Sequence, residues 1–202
     1  MSQAEDDREL VARLKRGDTT AFDEVYRQHR ARLFGFLARL CRRRDLAEDL
    51  LQETWMRLAA HAPRLTDDTR LAPWLFTVAR NLYRSHRRWS MARFEARGWF
   101  SRESFAVELT SPFELASANE LERRLELALG ALPLGYREAL LLVVVERLDP
   151  ADAASILGLR PDALRQRLSR GRAMLAAELE AMERPSAAPS SPLPVAGGTH
   201  GA

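Results

Sequence analysis

Cysteine and lysine are nearly absent from this sequence of 202 residues. Cys41 is the single cysteine, which excludes an intramolecular disulfide and argues against a cysteine metal site. The four histidines are scattered, and no nucleophile–base or carboxylate pairing stands out, so we expect no catalytic residue, metal or cofactor. No apolar run approaches the ~20 residues of a membrane span, and the N-terminus has no signal-peptide core. A cytoplasmic protein without membrane insertion or a small-molecule substrate is expected.

Charge is unevenly distributed along the chain. Of the 31 basic residues, 30 are arginine and one is Lys15. Residues 76–102 hold seven arginines against Glu95, and residues 160–172 hold five against Asp162. Residues 45–53 hold four acids and no base. The net charge of +3 is therefore a sum of separate patches, which indicates more than one partner.

The hydrophobic pattern predicts an all-α protein of two small helical domains. Helical periodicity recurs through residues 1–90, with breaks near Gly17, Arg42 and His61, and this predicts a unit of four helices. Residues 91–111 lose the periodicity and are interpreted as a flexible linker, whose aromatic side chains pack on the first domain or contact a partner. A second helical domain is expected over residues 112–182, with its first N-cap at Ser111. The tail at 183–202 has the composition of a disordered segment.

The helix predicted from Pro73 to Trp89 has two opposed faces. Leu75, Val78, Ala79 and Leu82 form an apolar stripe. Guanidinium groups beside aromatic rings suit phosphate pairing and base stacking, although a solvated arginine face is the simpler interpretation. The candidate DNA-binding residues of this helix are Trp74, Arg80, Asn81, Arg84, Arg87 and Arg88.

The helix predicted from Asp45 to about His61 is acidic on its exposed side. Asp45 is the expected N-cap and Glu48 completes a capping box. The face is either merely solvated or a docking surface for a basic partner helix, with Leu51 as an apolar anchor at its exposed edge. The candidate docking residues are Asp45, Glu48, Asp49, Leu51, Gln52 and Glu53.

Residues 150–169 fit a helix-turn-helix. Ala154 is small where the second helix would cross, Gly158 allows the left-handed turn, and Leu164 fills the angle between the helices. The outward positions carry donors suited to base edges and phosphates in a major groove. These candidate residues are Arg165, Gln166, Arg167, Ser169 and Arg170.

Three of these segments resemble one family, the extracytoplasmic-function (ECF) RNA polymerase sigma factors. The stretch Asp45–Leu58 is similar to the family's second conserved region, and Leu71–Asn81 is similar to its "W-L-x-x-I-A-R-N" motif. Leu132-Pro133 and the segment Asp152–Arg172 are similar to its fourth region. The three motifs stand in the family's order and spacing.

The resemblance implies a role for each segment. The acidic helix is expected to bind a coiled coil of the largest subunit of core RNA polymerase. The arginine-bearing helix and the loop before it, at residues 64–72, are expected to open the minus-ten promoter element and hold one strand. The helix-turn-helix is expected to read the minus-thirty-five element. An anti-sigma factor is a further expected partner, besides core polymerase and promoter DNA.

The sequence departs from the family pattern at two places. Ser85 stands where the family often has aspartate, and Asp162-Ala163 replaces the usual Gly-Thr at the start of the recognition helix. Asp162 supplies negative charge near that helix N-terminus. We therefore expect promoter preferences of this chain's own.

The sequence is also compatible with two other functions. One is a sigma-like decoy that binds an anti-sigma factor without binding DNA; loss of the arginines on both DNA-reading helices would favour it, and they are present. The other is a helix-turn-helix transcriptional regulator that acts without core polymerase, which leaves the acidic helix unexplained.

Overall fold

The computed structural model describes residues 3–96 and 120–183, and every regular element in these ranges is helical, as predicted. The first half contains α1 (Gln3–Lys15), α2 (Thr19–Cys41), α3 (Arg44–His61), a short 3-10 turn (Ala62–Arg64) and α4 (Leu71–Ala96). The second half contains α5 (Glu120–Ala131), α6 (Leu134–Leu140), a π-helical turn (Leu141–Val145), α7 (Pro150–Leu157) and α8 (Pro161–Glu183). No helix among them combines the length and apolar composition needed to cross a membrane.

The start of α2 shows how local polar groups define the first unit. Asp18 is the N-cap, and its Oδ1 accepts hydrogen bonds from the backbone N–H groups of Thr20 at 2.8 Å and Ala21 at 3.3 Å. Its other oxygen accepts from Arg13 Nε at 2.9 Å. The Thr20 hydroxyl and the Arg13 guanidinium hold the pKa of Asp18 well below its ordinary value. The cap therefore joins the end of α1 to the first turn of α2.

Aromatic side chains fill the core between α2, α3 and α4. Phe36 and Phe76 meet edge to face with ring centroids 5.2 Å apart. Trp55 on α3 lies against Phe22 and Tyr26 of α2. The fully buried apolar residues around these rings are Leu33, Leu37, Leu40, Leu58, Leu71 and Leu75. The apolar stripe of α4 thus faces the core, as its periodicity predicts.

The structure corrects two predictions for the first half. The N-cap of α3 is Arg43, not Asp45, because the helix begins at Arg44 and Asp45 lies inside its first turn. The Asp45 carboxylate instead accepts hydrogen bonds from Arg43. Helix α4 continues to Ala96, six residues into the range expected to be a linker. The predicted N-cap at Ser111, most of the linker and the tail lie outside the described residues.

The second half packs around the turn between α6 and α7. Leu132, Leu141, Leu142 and Leu164 are fully buried there. Helix α6 continues directly into the π-helical turn, in which the Glu146 N–H donates to the Leu141 carbonyl at 2.8 Å. Arg147 then takes a left-handed backbone conformation, with φ of 53°, and ends the helix. The turn redirects the chain into α7.

The two halves are in direct contact. Their buried apolar side chains form one continuous cluster, and α4 packs against α7 while α2 packs against α5 and α6. Charged side chains also cross the boundary, among them Arg80 of α4 and Glu138 of α6. The surfaces expected to bind different partners therefore belong to one packed body.

Candidate functional site

The acidic face of α3 lies at the surface. Asp45, Glu48, Asp49 and Gln52 are exposed, and Glu53 is half-buried. Three of the acids pair with arginines of the same segment: Arg43 with Asp45 at 2.6 Å, Arg44 with Glu48 at 2.9 Å, and Arg57 with Glu53 at 2.9 Å. Since exposed ion pairs of this kind contribute little free energy, a partner's cations can replace these arginines at small cost.

Leu51 does not lie at an exposed edge of this face. Its side chain is 8% exposed and belongs to the core between α2 and α3. The sequence pattern misplaced it because Leu50 and Leu51 are adjacent, and both reach the interior where α3 crosses α2. The expected apolar anchor is therefore the floor of a groove rather than a protruding side chain.

A groove of about 660 Å³ runs between α2 and α3 above Leu51. Tyr26 and Phe34 line it, with the Arg30 guanidinium 5.7 Å from the Tyr26 ring centroid and the Arg44 guanidinium 5.7 Å from that of Phe34. Its rim carries Arg27 and Arg30 from α2 opposite Glu48 and Gln52 from α3. This basic wall is not among the residues predicted from the sequence, although Arg27 and Arg30 recur at i, i+3.

The candidate DNA-binding residues of α4 do not share one environment. Asn81, Arg84 and Arg88 are exposed, and Arg87 is half-buried. Trp74 is half-buried, with its ring centroid 5.9 Å from that of His61. At the departure from the family pattern, Ser85 Oγ accepts a hydrogen bond from Arg88 at 3.2 Å.

Arg80 is not on the exposed arginine face that the helical pattern predicts. It is 5% exposed, and it donates from Nε to Glu138 Oε1 at 3.1 Å and from Nη2 to Oε2 at 3.3 Å. Its Nη1 donates to the Ile156 carbonyl at 2.8 Å. Arg84 Nη1 lies 4.0 Å from the same carboxylate. Periodicity within α4 cannot reveal this burial, because both partners belong to the second half.

The helix-turn-helix has the predicted geometry. Asp149 caps α7 by accepting from the Ala151 N–H at 2.8 Å, and Gly158 ends that helix with φ of +66°. The next N–H, of Leu159, bonds to the Ala154 carbonyl at 2.9 Å. Ala154 is 3% exposed and Leu164 is 1% exposed at the crossing of the two helices.

Four of the five candidate residues on α8 lie at the surface. Arg165, Gln166, Ser169 and Arg170 are exposed. Arg165 pairs with Asp162 in the first turn, so that acid holds the guanidinium at the helix N-terminus. Arg167 is half-buried, with its guanidinium against the backbone of Gly135 on α6. Arg167 therefore differs from the other four candidates, because it alone among the five is partly buried.

No group of three or more metal-ligating side chains comes together within the described part of the chain. The buried histidine, His29, is 5% exposed, and neither ring nitrogen has a hydrogen-bond partner. Burial, followed by the charge of Arg32, lowers its pKa. It therefore stays neutral in the core.

Comparison with known proteins assigns both halves. The family described as Sigma-70 region 2 matches residues 25–91, and the family described as Sigma-70, region 4 matches residues 122–175. The chain is 34% identical over 161 residues to the RNA polymerase sigma factor CarQ of Myxococcus xanthus, covering 80% of this chain and 90% of that protein. It is 32% identical to the ECF RNA polymerase sigma factor SigM of Bacillus subtilis (strain 168), covering 77% and 93%.

Solved structures agree with this comparison. CnrH in complex with the cytosolic domain of CnrY superposes with a TM-score of 0.66 at 25% identity, covering 87% of this chain and 97% of that one. The sigma factor RpoE in complex with the anti-sigma factor NepR from Bartonella quintana superposes with a TM-score of 0.65 at 26% identity, covering 81% and 98%.

Proposed function

The chain belongs to the ECF family of RNA polymerase sigma factors, and we propose that three separate surfaces carry out its work in transcription initiation. In this proposal one surface binds core RNA polymerase, one reads the upstream promoter element, and one holds the downstream element after melting. This proposal rests mainly on one observation. The exposed acidic face of α3 belongs to the same packed body as the arginine-bearing helix-turn-helix.

Core polymerase binds the groove between α2 and α3 in this proposal. Glu48 and Gln52 line one wall of this groove, and Asp45, Asp49 and the half-buried Glu53 extend the acidic face beside it. They attract a basic partner helix, while the aromatic floor over Leu51 receives its apolar side chains. Arg44, which pairs with Glu48, lines the same groove.

Promoter DNA binds two helices. Arg165, Gln166, Ser169 and Arg170 of α8 are exposed toward a major groove, where guanidinium and amide groups distinguish base edges. Asn81, Arg84, Arg87 and Arg88 of α4, with Trp74, contact the downstream element. Unstacking a base costs a few kcal/mol, so contacts with the displaced strand must offset that cost. The loop before α4, expected at 64–72 and spanning 65–70 in the structure, receives the unstacked base.

Regulation follows from the solved relatives. CnrH is held by the cytosolic domain of CnrY, and RpoE by the anti-sigma factor NepR. An anti-sigma factor is therefore a proposed partner of this chain as well. The protein acts in the cytoplasm, where polymerase and promoters are, and its function requires binding surfaces rather than catalytic residues.

A run-off transcription assay with purified core polymerase on genomic DNA tests the proposal. The wild-type chain should direct initiation at discrete sites. Glu53→Arg should abolish binding to core polymerase without unfolding the protein, because that side chain is 37% exposed. Glu180→Arg, the same charge change at an exposed position near the end of α8, should bind normally. Full transcription by Glu53→Arg would disprove the docking assignment.

A further inference from the structure

Among the residues that the structure describes, ion pairs connect the two halves at four sites, and each of the four has the same polarity. The first half contributes the arginines and the second half the carboxylates. The pairs are Arg32 with Glu146 at 3.2 Å, Arg39 with Glu126 at 2.7 Å, Arg70 with Asp152 at 2.5 Å, and Arg80 with Glu138 at 3.1 Å, where Arg84 also approaches. One half therefore presents a basic surface that the other covers with acids.

The five arginines form one surface, called here the inner arginine face: Arg32, Arg39, Arg70, Arg80 and Arg84. Arg32 and Arg39 are two turns apart on α2, and Arg80 and Arg84 are one turn apart on α4. The two helices pack side by side, and the Arg32 guanidinium lies 5.6 Å from the ring centroid of Phe76 on α4. The arginines of α2 therefore continue the row on α4.

The carboxylates are buried more deeply than most of the arginines they meet. Glu138, Glu146, Asp152 and Glu126 have side chains that are 2, 6, 14 and 15% exposed, whereas Arg32, Arg70 and Arg84 are 41 to 55% exposed. Such burial carries a desolvation cost that the ion pairs must repay, so these contacts specify the arrangement of the halves more than they stabilise it. The packed arrangement, called here the closed form, can therefore be opened by a competing ligand.

A nucleic-acid backbone is the ligand whose chemistry matches this face. Guanidinium groups bind carboxylate and phosphate oxygens with the same forked geometry. Arg80 shows that geometry, since two of its nitrogens each meet a different oxygen of Glu138.

We propose that the inner arginine face binds the sugar–phosphate backbone of promoter DNA, and that the carboxylates of the second half occupy this site in the closed form. Arg32, Arg39 and Arg70 thereby become DNA-contacting residues in addition to those of α4. The inference rests on the proposed role of α4 in holding the downstream element. DNA and the second half compete for the same guanidinium groups, so DNA binding favours separation of the halves.

Charge reversal at the Arg39–Glu126 pair, in the full chain, tests this competition. The probe is a fluorescent single-stranded deoxyoligonucleotide of mixed sequence, with affinity measured by anisotropy and the radius of gyration by small-angle X-ray scattering. Glu126→Arg should open the chain and tighten binding by about tenfold. Arg39→Glu should open the chain yet weaken binding. The double variant should regain the compact radius and bind more weakly than the wild type.

Two controls separate opening from added charge and from misfolding. Glu120→Arg makes the same charge change on α5 at a position whose described ion pair is with Arg123 of the same helix, and it should leave the radius unchanged. Thermal unfolding of every variant confirms that the halves remain folded. The proposal is overturned if Glu126→Arg binds no more tightly than Glu120→Arg, or if Arg39→Glu binds the oligonucleotide as the wild type does.

The same proteins in the run-off assay distinguish failure of the inner arginine face from failure of the proposed sigma function. Wild-type transcription together with unchanged oligonucleotide affinity of Arg39→Glu would reject the inner arginine face and leave the sigma function standing. Failure of the wild-type chain to direct initiation would reject the proposed function itself.

Discussion

Gly171 on α8 lies directly against Leu140 on α6. A Cβ atom built on Gly171 would stand 3.3 Å from Leu140 Cδ1 and 3.5 Å from the Tyr136 Cβ atom. The recognition helix is therefore held to the rest of the second half at a point where almost no side-chain volume fits. Leu164 and Leu168 complete the buried face of α8 on its N-terminal side.

Gly171→Val should destabilise the second half because its methyl groups must displace Leu140 or Tyr136. Overpacking of this kind costs about 1–3 kcal/mol. Urea denaturation monitored by circular dichroism measures the change in the free energy of unfolding. Gly171→Ala should cost less, because a single methyl group needs only a small shift of Leu140. Equal stability of the valine variant and the wild type would contradict the close packing.

Leu51→Ala should lower the stability of the fold more than it weakens polymerase binding. The side chain is buried, and truncation of a buried leucine lowers the free energy of unfolding by about 2–5 kcal/mol. Met56→Ala, at a position 52% exposed on the same helix, is the control and should change stability by less than about 0.5 kcal/mol. A stable Leu51→Ala variant that loses polymerase binding would restore the surface anchor predicted from the sequence.

Arg165→Ala and Arg167→Ala should differ in their effects on upstream recognition. Arg165 is exposed, so its loss should weaken binding by about 1–3 kcal/mol if it contacts a guanine. Arg167 packs on Gly135, so its loss should affect DNA less and folding more. Competition binding by the holoenzyme across a set of upstream-element variants measures both. Identical profiles for the two variants would contradict this division.

Glu146→Gln should make stability less dependent on pH. Burial raises the pKa of Glu146, against the opposing effects of Arg32 and Arg39, so the closed form favours the protonated carboxyl. The contribution of Glu146 to the stability of the wild type is therefore fully present at pH below the ordinary glutamate pKa. It is lost as the pH rises through the raised pKa of the folded protein. In thermal unfolding, the glutamine variant should be more stable than the wild type at about pH 7.5. The difference in stability between the two proteins should vanish towards about pH 4.5.

A matched control isolates this titration. Glu180→Gln makes the same substitution at an exposed position, and the stability of this variant relative to the wild type should not change between these two pH values. A Glu146→Gln difference that is constant with pH would show that the carboxylate titrates as it does in the unfolded chain.

The elements that local signals specify were predictable from the sequence. The helix-turn-helix needs Ala154, Gly158 and Leu164 at fixed spacing, and all three occupy the predicted environments. The core face of α4 follows from the 3.6-residue period. The predicted N-cap of α3, Asp45, was wrong. Capping depends on the backbone conformation of Arg43, and a capping-box pattern does not determine that conformation.

The contacts between the halves were not predictable in the same way. Arg80 is on the polar side of α4, so its position in the helix indicates exposure. Its burial depends on Glu138 and Ile156, which are 58 and 76 residues away along the chain. The π-helical turn has the same origin, since Val143–Val145 are compatible with several backbones and packing decides among them.

Cys41 has a consequence for how the protein can receive signals. The thiol lies near the end of α2, and burial raises its pKa to about 12. A thiolate is the species that peroxide, disulfides and alkylating reagents attack, and almost none forms at neutral pH. The one cysteine is therefore less reactive towards oxidants than an ordinary surface thiol, and cysteines introduced at the surface of either half can be labelled in preference to it.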